Sequence, residues 1–315
     1  MWLYLAVLVG LYLLRRWHRE RQRVPDLAEK YVLITGCDSG FGNLLARQLD
    51  ARGLRVLAAC LTEPGATQLR AAASSRLQTL LLDVTSSESI AAAAAWCVPG
   101  RGLWAPGSNC SFLPVPGAGR LCRQQGMAVL ALRAQQTQLI WAVTLSLLPL
   151  VRRARGRVVN VASAAGRLTF FGGGYCPSKY GVEAFSDSLR RELRDFGVRV
   201  SIIEPGCFRT PIVDSEAARD SVARAWSLCS DEVRQAYGHH YFSTCDDFLR
   251  LLSTANSNLS LVTSAMEHAL TAEHPRTRYS CGLDSQLYYI PLSYLPSSWT
   301  DRLLHSSALK PSGSA

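Results

Sequence analysis

The segment YVLITGCDSGFGNLLARQLDARG, residues 31–53, leaves this chain few options. Tyr31 to Thr35 is a short apolar run, rich in β-branched residues and stopped by glycine, which marks a buried strand. Leu44, Leu45 and Leu49 then fall on one helical stripe that ends at Gly53. Gly36, Gly40 and Gly42, with Ser39 and Phe41 between and beside them, therefore lie in a strand-to-helix turn. Missing side chains let such a backbone approach a pyrophosphate, and the helix N-terminus adds free N–H groups and partial positive charge. The unit predicts an α/β fold, a doubly wound parallel sheet of the Rossmann type.

The next elements repeat the pattern. LRVLAA, residues 54–59, reads as a second strand ending at Cys60, where an acid for a ribose hydroxyl is expected. Neither an acid nor a 2′-phosphate arginine stands there, so the residues leave NAD and NADP both open. LQTLLLDVT, residues 77–85, gives a third strand that ends at Asp83, a candidate for the adenine side of a cofactor pocket or a helix-capping aspartate.

GRVVNVAS, residues 156–163, is another buried-strand run and delivers Ser163 at its C-terminal end, where open α/β sheets bind ligands. Twelve residues on, YCPSKYGVEAFSDSLRREL carries Val182, Phe185 and Leu189 at helical spacing, which predicts an amphipathic helix starting near Tyr175 with Pro177 in its first turn. Tyr175 and Lys179, at i and i+4, share a face of that helix. A phenol with a pKa near ~10 is a poor base at neutral pH, and a neighbouring ammonium favours its phenolate. Tyr175 is thus a candidate to take an alcohol proton while hydride leaves the same carbon, with Ser163 bonded to the substrate oxygen and Lys179 also placed to hold a ribose.

Together TGCDSGFG, LDVT, NVAS, YCPSK and EPGCFRT resemble the short-chain dehydrogenase/reductase superfamily. GGGYCPSKYGVEAFSDSLRREL and HPRTRYS are similar to its microsomal retinol and 3α/17β-hydroxysteroid dehydrogenase branch. The resemblance implies Ser163 for substrate, Tyr175 as proton acceptor, Lys179 for cofactor and pKa, and Pro205, Gly206 and Thr210 near the nicotinamide. It favours NAD and suggests all-trans retinol or hydroxysteroids as substrates. Residues 207–256 correspond to the variable substrate-covering region.

One tract departs from that pattern. Residues 102–126, GLWAPGSNCSFLPVPGAGRLCRQQG, hold five Gly, three Pro and two Cys without a period of 2 or 3.6. The family strand ending in NNAG is missing, and counting back from Thr144 puts Gln136 at the place of the family's catalytic Asn. The tract, which leaves the whole region 102–142 atypical, is either a functional insertion or a translated intron or shifted frame; the second is favoured because family length is nearly kept while the pattern vanishes. Pro114 and Pro116 argue against SFLPVP, residues 111–116, as a central strand, and MAVLAL, residues 127–132, is the better surrogate. A sheet lacking its central strand suggests, as an alternative to an enzyme, an impaired relative that binds cofactor or partners without turnover.

The N-terminus is expected to anchor the chain. Residues 1–14, MWLYLAVLVGLYLL, carry no charge and precede RRWHRERQR, the reverse of a cleaved signal peptide's order. As a helix they reach roughly 21 Å against a ~30 Å hydrocarbon core, extended by snorkelling arginines and Trp17. The arginine flank places the body on the cytoplasmic face of a membrane, by resemblance the endoplasmic reticulum. The net charge of +10 has no interleaved stacking aromatics or finger pattern, which excludes nucleic acid as a partner. The ten cysteines are scattered, without ligand spacing, so no metal is expected. The expected organisation is an anchor over 1–24, a dehydrogenase domain over 25–296 and a polar tail over 297–315. The expected partners are a lipophilic small molecule and a membrane, with a homo-oligomer allowed.

Overall fold

In the computed structural model, which describes residues 2–97, 110–113, 128–169, 174–210, 223–224, 226–238 and 255–306, strand β1 (Tyr31–Thr35) is buried along its whole length. It lies between β2 (Arg55–Cys60) and β4 (Cys110–Leu113), with Val32 opposite Val56 on one side and Ser111 on the other. β3 (Leu77–Leu81) lies outside β2, while β5 (Arg157–Val161), β6 (Arg199–Pro205) and β7 (Arg278–Cys281) continue beyond β4, giving the order β3-β2-β1-β4-β5-β6-β7. Every pairing is parallel. The order reverses between β1 and β4, and at such a switch point the strand ends leave a crevice for ligands.

Successive β1 side chains feed opposite layers, as the two-residue period of a strand requires. Val32 and Ile34 pack with Leu45 and Leu49 of α2 (Gly40–Ala51) and with Val262 and Met266 of α7 (Ser260–Thr271). Tyr31 and Leu33 pack with Ile90 of α4 (Ser87–Trp96), Val143 and Leu147 of α5 (Ala128–Arg153) and Leu189 of α6 (Tyr175–Glu192). With helices on both faces, the strands need apolar residues at every position rather than alternate ones. α3 (Glu63–Ala71) adds Ala66 and Leu69 to the first layer.

Two sequence expectations are corrected here. The segment judged unfit for a central strand supplies one: β4 pairs with β1 over four residues and with β5 through Ser111 and Phe112. It ends at Leu113, one residue before Pro114, so neither proline has to donate to the ladder. The proposed surrogate, residues 127–132, is instead helical from Ala128, where it opens α5. Gln136 falls on α5 and its side chain lies outside the described residues, as does the rest of the tract, residues 102–109 and 114–126.

Helix α1 (Trp2–Arg21) continues past the apolar stretch and through the arginine flank. Trp2, Tyr4, Leu8, Leu11 and Tyr12 are each more than half exposed. No helix among the described residues is long and apolar enough to cross a membrane. The base of α1 is tied to the body: Glu20 pairs with Arg276, Val24 N–H donates to Thr271 at 2.8 Å, and Glu273 N–H donates to Gln22 at 2.8 Å. His268 sits in the same joint. Arg276 N–H donates to the Tyr279 hydroxyl at 2.8 Å, which leaves that hydroxyl's proton for His268 Nδ1 at 2.8 Å and a proton on Nε2 for the Glu20 carbonyl at 2.8 Å.

This arrangement requires a neutral imidazole, and burial lowers the His268 pKa. A depressed histidine contributes stability that is present above the unfolded value of about 6.5 and is lost as pH falls through the folded value. The His268 contribution to the thermal midpoint is therefore expected to fall between about pH 7 and about pH 5, seen as a gap between the wild type and His268→Gln that shrinks over that range. An equal slope in both proteins would remove His268 from the explanation.

Candidate active site

The glycine turn has the backbone its sequence requires. Gly36 (φ 71°) and Gly40 (φ 63°) take left-handed conformations that favour glycine. Gly42 is needed for a different reason: a Cβ there would overlap the Gly36 carbonyl oxygen and lie 2.9 Å from its carbon, so α2 could not sit this close to β1. Ser39 is the N-cap residue but its side chain makes no capping bond, and a Cβ at Gly40 would meet open space. An uncapped helix end facing open space fits an anionic pyrophosphate. Phe41, in the first turn, meets Phe208 edge to face with centroids 5.9 Å apart, joining this turn to the loop after β6.

Ser163 is buried just past β5. Its Oγ accepts from Ala165 N–H at 3.2 Å and donates to the Pro205 carbonyl at 3.4 Å, which fixes it at the adjoining ends of β5 and β6. A 3-10 turn, Ala164–Gly166, follows. A Cβ on Gly166 would come within 2.9 Å of the Lys179 carbonyl oxygen and 3.0 Å of Glu183 Cγ, so this turn is pressed directly against α6.

Helix α6 starts at Tyr175, with Pro177 in its first turn where no ladder donor is lost. Tyr175 is half-buried and Lys179 is buried, with Nζ donating to the Val161 carbonyl at 3.2 Å and lying 5.7 Å from the Tyr175 ring centroid. Beyond β6, Gly206 N–H donates to the Cys281 carbonyl at 2.9 Å, and Cys207 N–H donates to Asp284 Oδ2 at 2.6 Å. Thr210 is partly buried, just past the Phe208–Asn256 bridge. Residues 211–222, 225 and 239–254 of the expected substrate-covering region lie outside the described residues.

The C-terminal strand ends thus gather the glycine turn, Ser163, Tyr175, Lys179, Pro205 and Gly206. Asp83 stands apart, exposed at the end of outer strand β3. Its Oδ1 accepts from Thr85 N–H at 2.9 Å and Thr85 Oγ1 at 2.6 Å, bonds that hold its carboxyl below the usual range. It builds the turn before α4, whose cap is Ser86, so the helix-capping alternative for Asp83 does not hold.

Sequence reading missed three residues. Asp38, inside the glycine turn, accepts from Leu61 N–H at 2.7 Å, Thr62 N–H at 2.9 Å and Thr62 Oγ1 at 2.8 Å, which puts a carboxylate at the end of β2 beside Cys60. Asp284 fills the space that a side chain on Gly206 would occupy. Phe208 closes against Phe41. The advance signals were the presence of Asp38 within GCDSGFG and of Phe208 within EPGCFRT.

A Rossmann-type parallel sheet with a glycine turn after its first strand and a Ser–Tyr–Lys group at its strand ends defines a short-chain dehydrogenase, and this chain belongs to that family. The short chain dehydrogenase family pattern matches residues 30–221. The chain is 54% identical over 316 residues to 17-beta-hydroxysteroid dehydrogenase type 6 of Homo sapiens, covering 99% of each. It is 55% identical over 310 residues to retinol dehydrogenase 16 of Homo sapiens, covering 97% of each. Among solved structures, a short chain dehydrogenase/reductase from Burkholderia phymatum in complex with NAD superposes with a TM-score of 0.65 over 91% of this chain and 97% of that one, at 20% identity. The chain is therefore an oxidoreductase of the retinol and hydroxysteroid branch, with a fold that binds a nicotinamide dinucleotide.

Proposed function

We propose that the protein interconverts a lipophilic secondary or allylic alcohol, all-trans retinol or a 3α/17β-hydroxysteroid, with its carbonyl, using NAD. The observation that carries this reading is the meeting of Ser163, Tyr175 and Lys179 at the strand ends that also bear the glycine turn. A bound nicotinamide dinucleotide supplies the hydride acceptor, and Gly36, Ser39, Gly40, Phe41 and Gly42 are the residues that would hold its pyrophosphate side. Ser163 Oγ turns its proton from the Pro205 carbonyl to the substrate oxygen and orients the alcohol. Tyr175, as phenolate, accepts the alcohol proton at its oxygen. The Lys179 ammonium beside it favours that phenolate and is placed to hold a ribose. β4, seated between β1 and β5, supports an active enzyme over an impaired relative, because the sheet that presents these groups keeps its middle strand.

The preference for NAD rests on Asp38. Its carboxylate occupies the end of β2, the place from which an acid bonds a 2′-hydroxyl and repels a 2′-phosphate. Asp38→Asn is expected to narrow the NAD:NADP affinity ratio by about tenfold, the worth of one charge–charge contact in a partly exposed site. Titration of the intrinsic fluorescence with each cofactor checks this, and an unchanged ratio would assign the preference elsewhere.

Attachment to the endoplasmic reticulum membrane, with the body on its cytoplasmic face, is part of the same proposal. It is supported by the exposed apolar side chains of α1 and by the arginines that follow them. The substrate class is tested by comparing kcat/KM for all-trans retinol, a 3α-hydroxysteroid and a short water-soluble alcohol. The lipophilic alcohols are expected to exceed the short one by several orders of magnitude, and comparable values would contradict the reading.

A further inference from the structure

Behind the face that carries the reaction, four charged side chains form a ring that the proposed chemistry leaves unused. Glu183 lies on α6 one turn beyond Lys179 and two beyond Tyr175, so the three share a stripe. Its Oε2 accepts from Arg278 Nη2 at 2.9 Å and Nε at 3.2 Å. Arg278, on β7, also lies 3.3 Å from Glu204 of β6 and donates to Asp187 of α6 at 2.9 Å. Glu204 accepts in turn from Arg167 Nη1 at 3.0 Å and from Ser280 Oγ at 3.2 Å, and Arg167 Nη2 donates to the Tyr294 hydroxyl at 2.9 Å. Arg167 follows Gly166, the residue pressed against Lys179 and Glu183, and this closes the ring. It therefore touches the turn that begins at Ser163, the helix of Tyr175 and Lys179, and the strand residue before Pro205 and Gly206.

The ring is poised for protonation by its geometry. Glu183 and Glu204 are 5% and 1% exposed and share one guanidinium, so two like charges are buried side by side. Glu183 Oε1 is buried without a hydrogen-bond partner among the described residues, although an ionised carboxylate needs every acceptor site met. We propose that Glu183 is a positioning residue for the Tyr175–Lys179 pair, gripping Arg278 and holding α6 against the Ser163 turn when ionised and loosening that hold when protonated. The inference deepens the dehydrogenase reading given above and rests on it.

The charged groups facing Glu183 are Arg278 from β7, Glu204 from β6, Arg167 from the turn after β5 and Asp187 and Lys179 from its own helix. Burial, followed by Glu204, raises the Glu183 carboxyl to about 7 against the opposing pull of Arg278 and Arg167. A raised carboxyl contributes stability that is fully present below its unfolded value and is lost as pH rises through about 7. Ionisation should therefore weaken the fold slightly while tightening the active site. A merely structural ion pair would move both in the same direction.

The test compares the full chain with Glu183→Gln, which mimics the protonated form. At about pH 8 the variant is expected to lose about tenfold in kcat, and at about pH 6 to match the wild type. Over the same range its thermal midpoint should rise relative to the wild type. Glu183→Asp, which keeps a titrating carboxylate, should restore a pH-dependent kcat, and decides the matter if the glutamine variant does not fold. Tyr175-dependent turnover with superimposable pH profiles for wild type and variants would overturn the positioning role and leave the dehydrogenase reading intact. If the wild type forms no NADH, that reading falls instead. Fluorescence titration with NADH then decides for Glu183, a pH-dependent affinity gap supporting the role and a constant gap overturning it.

Discussion

Tyr175→Phe is expected to lower kcat for alcohol oxidation by about 10³- to 10⁴-fold, the upper part of the range that a positioned general base contributes. That corresponds to roughly 4–5 kcal/mol of transition-state stabilisation lost with one oxygen atom. The alcohol proton then has no acceptor, since Ser163 Oγ is giving its own proton to the substrate oxygen and the Lys179 ammonium has no lone pair. The aromatic ring and the Lys179 contact to Val161 remain, so NAD affinity should change by no more than about threefold, less than one hydrogen bond to a charged group is worth. Steady-state kinetics beside a cofactor titration separates the two effects. A parallel loss of NAD binding would mean that Tyr175 supports the fold of the site rather than the proton transfer.

Gly42→Ala should be the most damaging single methyl in the glycine turn. The added Cβ overlaps the Gly36 carbonyl oxygen and approaches the Thr35 carbonyl oxygen to 3.2 Å, and both are backbone atoms that cannot rotate away. α2 must then lift from β1, which disturbs the layer formed by Leu45 and Leu49. Overpacking of this kind costs about 3 kcal/mol or more, and cofactor binding should fall with it. Gly40→Ala is the control, because its Cβ meets open space and the cost is confined to the left-handed backbone, about 1–2 kcal/mol. Thermal midpoints of the two variants measure the contrast, and equal losses would show that the close approach of α2 to β1 is not what Gly42 provides.

What could be read in advance was what is local in sequence. The strand–turn–helix unit at 31–53, the strand delivering Ser163 and the helix opening at Tyr175 each depend on periodicity and punctuation within some 20 residues. β4 was misjudged because a strand of four residues carries almost no pattern, and because its place is set by partners far away, Tyr31 to Ile34 on one side and Arg157 and Val158 on the other. Pro114 is a valid objection to a longer strand but is irrelevant to one that stops before it. The ring of Arg167, Glu183, Glu204 and Arg278 was invisible for a related reason. Those four residues lie on four separate segments, and only the sheet order brings them together. Asp38 was visible but unread, because an acid expected at the end of β2 is here supplied from the neighbouring turn.

The central claim is that this sheet, with β4 in its middle, builds a working Ser163–Tyr175–Lys179 site. Its most direct test is NADH formation by membranes carrying the full chain, given NAD and all-trans retinol or a 3α-hydroxysteroid, with Tyr175→Phe alongside. Accumulation of NADH that disappears in the variant is the predicted result. Folded protein whose thermal midpoint rises with NAD, yet which forms no NADH from either alcohol, would contradict it and leave a binding protein in place of an enzyme.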